Sequence, residues 1–186
     1  MNLRISALTL LAFPLVLAAQ QPAATPLVKW TDLATAQAAA KKDGKPLLID
    51  VYTSWCGPCR MLDANTFGDA QTAAYINANF HPVKFNAEGG DPVVYNGKSY
   101  SNPSYNPAMK NSRNGTHELT MAIAPVNGRV AYPTLVYMDS QGHVLTPVQG
   151  YMTPVQIEPI LNYFGSGVYK KQEFPDFQKG FVSQRK

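Results

Sequence analysis

Cys56 and Cys59 are the only cysteines in the chain, and they stand three positions apart in Trp55-Cys-Gly-Pro-Cys59. A bridge between them closes almost no loop, so it adds little stability by constraining the unfolded chain. A structural staple is therefore a poor account of the pair. Two thiols at this spacing suit redox exchange, in which one thiolate attacks a disulfide and the second resolves the mixed disulfide. Metal binding is the other chemistry open to paired thiols. A structural zinc site wants four ligands, but the remaining candidates His81, His117 and His143 are scattered singly, so no metal site is expected.

The elements that position the pair follow from the flanking pattern. Pro46-Leu-Leu-Ile-Asp-Val-Tyr-Thr53 is a near-continuous apolar and β-branched run, as in a strand buried on both faces. Asp50 lies in its middle. Ser54 to Cys59 turns into a helix with Pro58 in the first turn, where a missing N–H costs nothing, and Leu62 and Phe67 give that helix an inner face. Upstream, Thr31 or Asp32 caps a helix ending at Lys42-Asp43-Gly44. Downstream come a helix from Asp69 or Thr72 through Ala78 and a strand, His81-Pro-Val-Lys-Phe-Asn86, carrying Lys84.

Residues 87–114 hold Gly89-Gly90, Asn96-Gly97, three prolines and several Tyr and Asn without periodicity. So long a structureless stretch is uncommon in a compact domain and usually functional, and it reads as an insertion. Its Tyr95, Tyr100 and Tyr105 suit either a recognition rim or loop anchors. A short helix is expected from Thr116 to Ala124. A β-hairpin follows, Tyr132-Pro133-Thr134 to Met138 and His143 to Val148, turning at Asp139–Gly142. The last helix runs from Thr153-Pro154 to Phe164, with Pro159 implying a kink. Phe174, Phe177 and Phe181 form one amphipathic turn that can pack back on the body.

Composition bounds the class. The chain has 186 residues, 45% hydrophobic and 15% charged, with formal net charge +4. Disorder would need fewer apolar residues and more net charge, and the glycines and prolines lack the triplet period of collagen. Lys and Arg form no tract, so no nucleic-acid partner is expected. Arg4 is the only charge before Lys29, and a thirteen-residue apolar run, Ala7–Ala19, ends in small residues. This pattern reads as a secretory signal peptide over residues 1–19, with cleavage after Ala18 or Ala19. A membrane span wants roughly 20 apolar residues, and Pro14 breaks this core. The alternative is an uncleaved anchor. A linker spans 20–28. The expected product is an exported protein, periplasmic in a Gram-negative host, with no stable membrane insertion after cleavage.

At Trp55-Cys-Gly-Pro-Cys59 the sequence resembles the thioredoxin superfamily. Other positions agree. Asp50 stands six residues before Cys56, Lys84 is similar to the central-strand lysine, Tyr132-Pro133-Thr134 resembles the cis-proline segment, and Gly150 matches the glycine after the hairpin. The resemblance covers 29–165 apart from the 87–114 insertion, and 166–186 is a C-terminal extension. It implies an α/β thioredoxin fold, a central mixed sheet flanked by helices. Exported context and the Tyr-Pro-Thr form are similar to the C-terminal domain of DsbD-type transporters and to cytochrome c maturation reductases. Tyr132 replaces the Ile or Val of cytosolic thioredoxins, which leaves substrate choice open.

What the resemblance implies for the residues is specific. Cys56 is the attacking thiol, expected at the surface at a helix start, where unpaired N–H groups and the dipole favour its thiolate. Cys59 is the buried resolving thiol, and Asp50 its proton acceptor, since burial raises a carboxyl pKa. Lys84 pairs with Asp50 and modulates it. Pro133 faces the disulfide and leaves the Tyr132 backbone free to pair with an extended substrate. Trp55, Gly57, Pro58, Tyr132 and Gly150 are the expected substrate-contacting positions. Gly57-Pro58 offers no charge or imidazole to stabilise the Cys56 thiolate, which argues for a reducing poise. The expectation is an exported protein-disulfide reductase with no cofactor beyond its own Cys56–Cys59 pair. Its substrates would be exported proteins bearing disulfides, and its electron donor a membrane thiol-electron transporter. The alternatives are an oxidase or isomerase, or a non-catalytic binding module.

Overall fold

The computed structural model describes residues 27–185. The expected signal peptide and the first part of the linker lie outside the described residues.

The sheet grows outward from β1 (Leu47–Tyr52), whose first five residues are buried. β2 (His81–Asn86) lies parallel to it on one side, β5 (Thr134–Met138) antiparallel on the other, and β6 (Val144–Gln149) antiparallel beyond β5, giving the order β2-β1-β5-β6. Successive strand residues point to opposite faces. Leu47, Ile49 and Val51 therefore join Leu33, Ala36 and Ala40 of α1 (Leu33–Asp43) and Leu119 and Ile123 of α4 (Glu118–Ile123). Leu48 faces the other way, into a second core with Ala73 and Ile76 of α3 (Ala70–Asn79) and Ile157 and Leu161 of α5 (Pro154–Gly165). Asp50 stands two residues after Leu48 and so shares its face, a carboxylate on the second side of a dry sheet.

Local chemistry sets the ends of these elements. The Asp32 carboxylate accepts from the Thr35 N–H at 2.9 Å and starts α1, while Gly44, with φ of +80°, ends it in a conformation that penalises other residues. Thr153 and Gln156 form a capping box at the start of α5. α5 continues through Pro159 as one helical segment, with Ile157, Leu161, Tyr163 and Phe164 buried. Both edge strands carry a proline, Pro82 in β2 and Pro147 in β6.

The inserted segment is more ordered than its aperiodic sequence suggests. β3 (Val93–Tyr95) and β4 (Lys98–Tyr100) form an antiparallel hairpin. Asn96 and Gly97 turn it with φ of 48° and 78°, as two-residue hairpin turns require. A single 3₁₀ turn, Pro107–Met109, follows. Tyr95 is an anchor rather than a rim residue, because it is buried and its hydroxyl donates to the Gly142 carbonyl at 2.6 Å. Tyr105 packs so closely on Gly90 that a Cβ there would lie 2.5 Å from its ring.

The extension packs on the body as its phenylalanine spacing predicts. Phe174 and Phe177 of α6 (Phe174–Gly180) lie 5.2 and 5.4 Å from the Tyr163 ring. Beyond α6, the Glu158 carboxylate accepts from the Ser183 hydroxyl and the Gln184 N–H, and Arg185 reaches Asp69 at 2.7 Å. No helix among the described residues is long and apolar enough to cross a membrane.

Tyr137 is fully buried and stacks on Phe164 at 4.4 Å, yet its hydroxyl has no hydrogen-bond partner among the described residues. An unpaired buried hydroxyl costs roughly 1–3 kcal/mol. Tyr137→Phe is therefore expected to raise the denaturant midpoint with an unchanged m-value. A loss of more than about 1 kcal/mol would show that the hydroxyl is paired in solution.

Candidate active site

The site forms where β1 ends and β5 begins. Their antiparallel register pairs Val51 with Thr134, which brings the turn after β1 beside the segment before β5. That turn leads to Cys56, the N-cap of α2 (Gly57–Met61), whose sulfur accepts the Cys59 N–H at 3.1 Å. Cys56 and Cys59 are joined as a disulfide. Opposite them the Tyr132–Pro133 bond is cis. Gly150 donates its N–H to the Pro133 carbonyl at 2.8 Å with φ of +102°, a conformation open to glycine.

The expectation of a surface-exposed Cys56 needs correction. In the disulfide form Cys56 is 2% exposed and Cys59 3%. The cause is local, since Cys56 turns inward to take the N–H of Cys59 and to bond its sulfur. Pro58 and Ser54 are exposed, and Trp55 and Gly57 half-buried.

Behind the disulfide, β1–β2 register places Asp50 directly opposite Lys84. Asp50 Oδ2 lies 3.4 Å from Lys84 Nζ, and its Oδ1 has no partner among the described residues. Burial pushes its pKa up from 3.8 to about 7, with Lys84 opposing and a second carboxylate, Asp63, reinforcing the rise. Lys84 Nζ is bound to Asp63 Oδ1 more closely than to Asp50. The ammonium also lies 5.3 Å from the Trp30 ring and 5.1 Å from the Tyr52 ring. It lines a cleft of about 520 Å³ shared with Tyr52, Asp32, Asn86 and Asp91. A chain of charge thus runs from a dry carboxyl to water. Asp63 escaped the sequence reading, although it follows Cys59 by four residues, one helical turn. It sits in a π-helical turn, Leu62–Phe67, that extends α2, and such turns are frequent at functional sites.

The inserted segment supplies what sequence reasoning missed altogether. The Trp55 indole N–H donates to Glu88 Oε2 at 2.7 Å, and the same oxygen accepts the Asn114 N–H at 2.9 Å. The Arg113 guanidinium lies 4.2 Å from the centre of the Trp55 ring, and Tyr132 meets that ring edge-on at 6.0 Å. The Ser54 hydroxyl donates to the Lys110 carbonyl at 3.1 Å. No periodic signal marks Glu88 or Arg113, because both act through a folded loop. Asn114-Gly-Thr116 matches a glycosylation pattern, but its amide exchanges two 2.8 Å hydrogen bonds with the Asn106 backbone.

The three histidines are employed elsewhere, with His81 on Asp43, His143 on Asp139 and His117 capping α4. Among the described residues no three His, Cys, Asp or Glu side chains gather as a metal would need.

A CxxC disulfide at a helix start, facing a cis-proline across an α/β sheet, defines a thioredoxin-type redox centre. The chain belongs to the thioredoxin-like domain family, whose model matches residues 33–165. It is 25% identical over 107 residues to the thiol:disulfide interchange protein DsbD of Citrobacter koseri, a match covering 58% of this chain and only 14% of DsbD. Among solved structures, a putative disulphide-isomerase from Bacteroides thetaiotaomicron is similar with TM-score 0.50 and 25% identity, covering 81% of this chain and 100% of that one. A thioredoxin-fold protein from Helicobacter pylori shares the fold at TM-score 0.52 and 18% identity, covering 74% and 80% of the two chains.

Two outcomes are expected for the buried carboxyl. Carboxyl-carbon NMR should show Asp50 titrating near 7. The midpoint should be lower in Asp63→Asn, which removes a like charge and frees Lys84, and higher in Lys84→Met. The raised folded pKa also means that, between 3.8 and about 7, the native chain holds a proton that the unfolded chain has lost. Stability therefore falls as pH rises through that window. Asp50→Asn should remove this slope and unfold at higher denaturant at pH 8, by up to roughly 4 kcal/mol. An unchanged slope would contradict the assignment.

Proposed function

We propose that the chain works as a reductant of protein disulfides in an extracytoplasmic compartment. The observation that carries this reading is the Cys56–Cys59 pair at the start of α2, with a backbone N–H on the Cys56 sulfur and a carboxyl of near-neutral pKa behind it. In the reduced protein the Cys56 thiolate attacks a substrate disulfide. An S–S bond forms to Cys56 as the substrate's S–S bond breaks, and the leaving sulfur takes a proton from water. Cys59 then passes its proton to Asp50 and attacks the Cys56 sulfur. The second substrate thiolate departs, and two electrons have moved to the substrate. Asp50 accepts a proton only when ionised, so this resolving step should accelerate as pH rises through about 7.

Several features support the reducing direction. Gly57-Pro58 contributes no cation between the sulfurs, so nothing there stabilises the thiolate at the expense of the disulfide. The similarity to DsbD, an interchange protein, fits a chain that receives electrons from a membrane thiol-electron transporter and passes them to exported substrates. The apolar N-terminal run fits export. Apocytochrome c and misbridged proteins are the kinds of substrate this chemistry serves. Pro133, Tyr132, Gly150 and Trp55 then form the docking edge, with the Tyr132 backbone pairing to an extended segment. Because Cys56 is almost wholly covered, docking and exposure of its sulfur are coupled. The likeness to a putative disulphide-isomerase favours isomerisation as the second reading.

The measurements are direct. Cys59→Ser should accumulate covalent substrate adducts on Cys56 in the native host, whereas Cys56→Ser should not. A reduction potential well below about −220 mV is expected, while one above about −180 mV would favour oxidation or isomerisation. Asp50→Asn should slow the resolving step by about 100-fold and abolish its inflection near neutrality. Full rescue of a deletion strain by the double Cys56→Ser, Cys59→Ser variant would instead assign a non-catalytic binding role.

A further inference from the structure

The Arg113 guanidinium carbon lies over the ring of Trp55, the residue before Cys56, 4.2 Å from its centre, and Arg113 is solvent-exposed. Among the described residues it makes no ion pair or side-chain hydrogen bond, so its in-plane N–H donors are unspent. A guanidinium presents such donors in a planar fork that matches a carboxylate. The loop presenting it is fixed. Asn114 and Asn106 exchange hydrogen bonds, Asn102 donates to the Gly89 and Gly115 carbonyls, and Glu88 ties the Asn114 N–H to the Trp55 indole. Little ordering entropy therefore remains to be lost when Arg113 meets a ligand.

A second guanidinium flanks the same turn from the helix side. Arg60, exposed and next to Cys59, donates to the Ser54 carbonyl at 3.2 Å. Ser54 in turn holds the loop through Lys110, itself exposed. The Glu88 carboxylate under Trp55 is 8% exposed, with one oxygen shared by two donors. Exposed cations thus border the Cys56–Cys59 disulfide from the loop side and from the helix side.

We propose that Arg113 and Arg60 form an anion-reading rim around the disulfide, so that preferred substrates carry Asp or Glu beside the cysteine that bonds to Cys56. This rests on the dithiol reading above, and names the substrate class for that site. The rim adds affinity on the substrate side without touching the sulfurs. Its contribution is electrostatic and must weaken with salt. The 87–114 insertion is then the part of this chain that gives a generic exchange centre a preference.

The test uses the reduced full chain and two synthetic peptide disulfides that differ only in Glu or Gln on either side of the reacting cysteine. The readout is the ratio of kcat/KM for the two peptides within each variant. Wild type should favour the Glu peptide by about fivefold at low salt, with the ratio approaching one in 0.5 M salt. Arg113→Met keeps an apolar cover on Trp55 and should lower the ratio. Arg113→Met with Arg60→Gln should bring it to one, and Arg113→Lys should restore part of it. Equal rates for the two peptides in wild type, or a preference that survives both substitutions, would overturn the rim with the dithiol chemistry intact. If neither peptide is reduced, the dithiol reading itself fails and the rim falls with it.

Discussion

A carboxyl group stranded in a dry sheet is the constraint around which this molecule is arranged. Asp50 cannot escape it, because β1 is the central strand and both neighbours are hydrogen-bonded to it. Alternation along that strand forces the side chain onto the face shared with α3, α5 and the π-helical turn. The usual remedy for a buried carboxylate is a close, dedicated cation. Here the cation is shared and leans towards its other partner, leaving one Asp50 oxygen with no donor among the described residues. The group is thereby kept close to the point of taking or giving a proton, where an acid–base catalyst is most useful. A tighter Asp50–Lys84 pair would hold the carboxyl charged at lower pH and favour the folded chain at alkaline pH.

The sequence-level reading succeeded where one residue type has few physical uses. Two cysteines three apart in an otherwise cysteine-free chain have little structural purpose. An Asp inside Leu-Leu-Ile-Asp-Val can hardly avoid burial, and Asp32, Asp69 and Thr153 cap the helices their patterns announce. The central mixed sheet is what the thioredoxin resemblance implies, and its four strands are in the order β2-β1-β5-β6. What failed to show was everything that depends on loop folding. The β3–β4 hairpin is too short to display a period, although its Asn96-Gly97 turn was visible. Glu88 and Arg113 reach Trp55 only once the Asn102, Asn106 and Asn114 bonds have closed the loop, and no spacing rule encodes that closure. The exposed Cys56 was a misjudgement of geometry. A short ring between sulfurs at the start of a helix pulls the first sulfur inward as well as the second.

The redox pair and the inserted loop divide the labour between general and particular. Asp50 lies within β1, Pro133 just before β5, and Cys56 and Cys59 at the start of α2, so regular elements position all four. Trp55 is the junction, because its indole is fastened to Glu88, faced by Arg113 and edged by Tyr132. A change in the loop can thus alter what approaches the disulfide while the acid–base group behind it keeps its surroundings. Loops positioned by a rigid scaffold commonly carry specificity for this reason.

The prolines at both margins of the sheet bear on how the protein keeps company at high concentration. An unpaired strand edge is a template on which another chain can add itself and begin a fibril. Pro82 and Pro147 each remove an amide hydrogen from such an edge, and the Thr31 bridge to Val83 occupies part of the β2 side. Both flanks of the sheet are therefore poor templates for such recruitment.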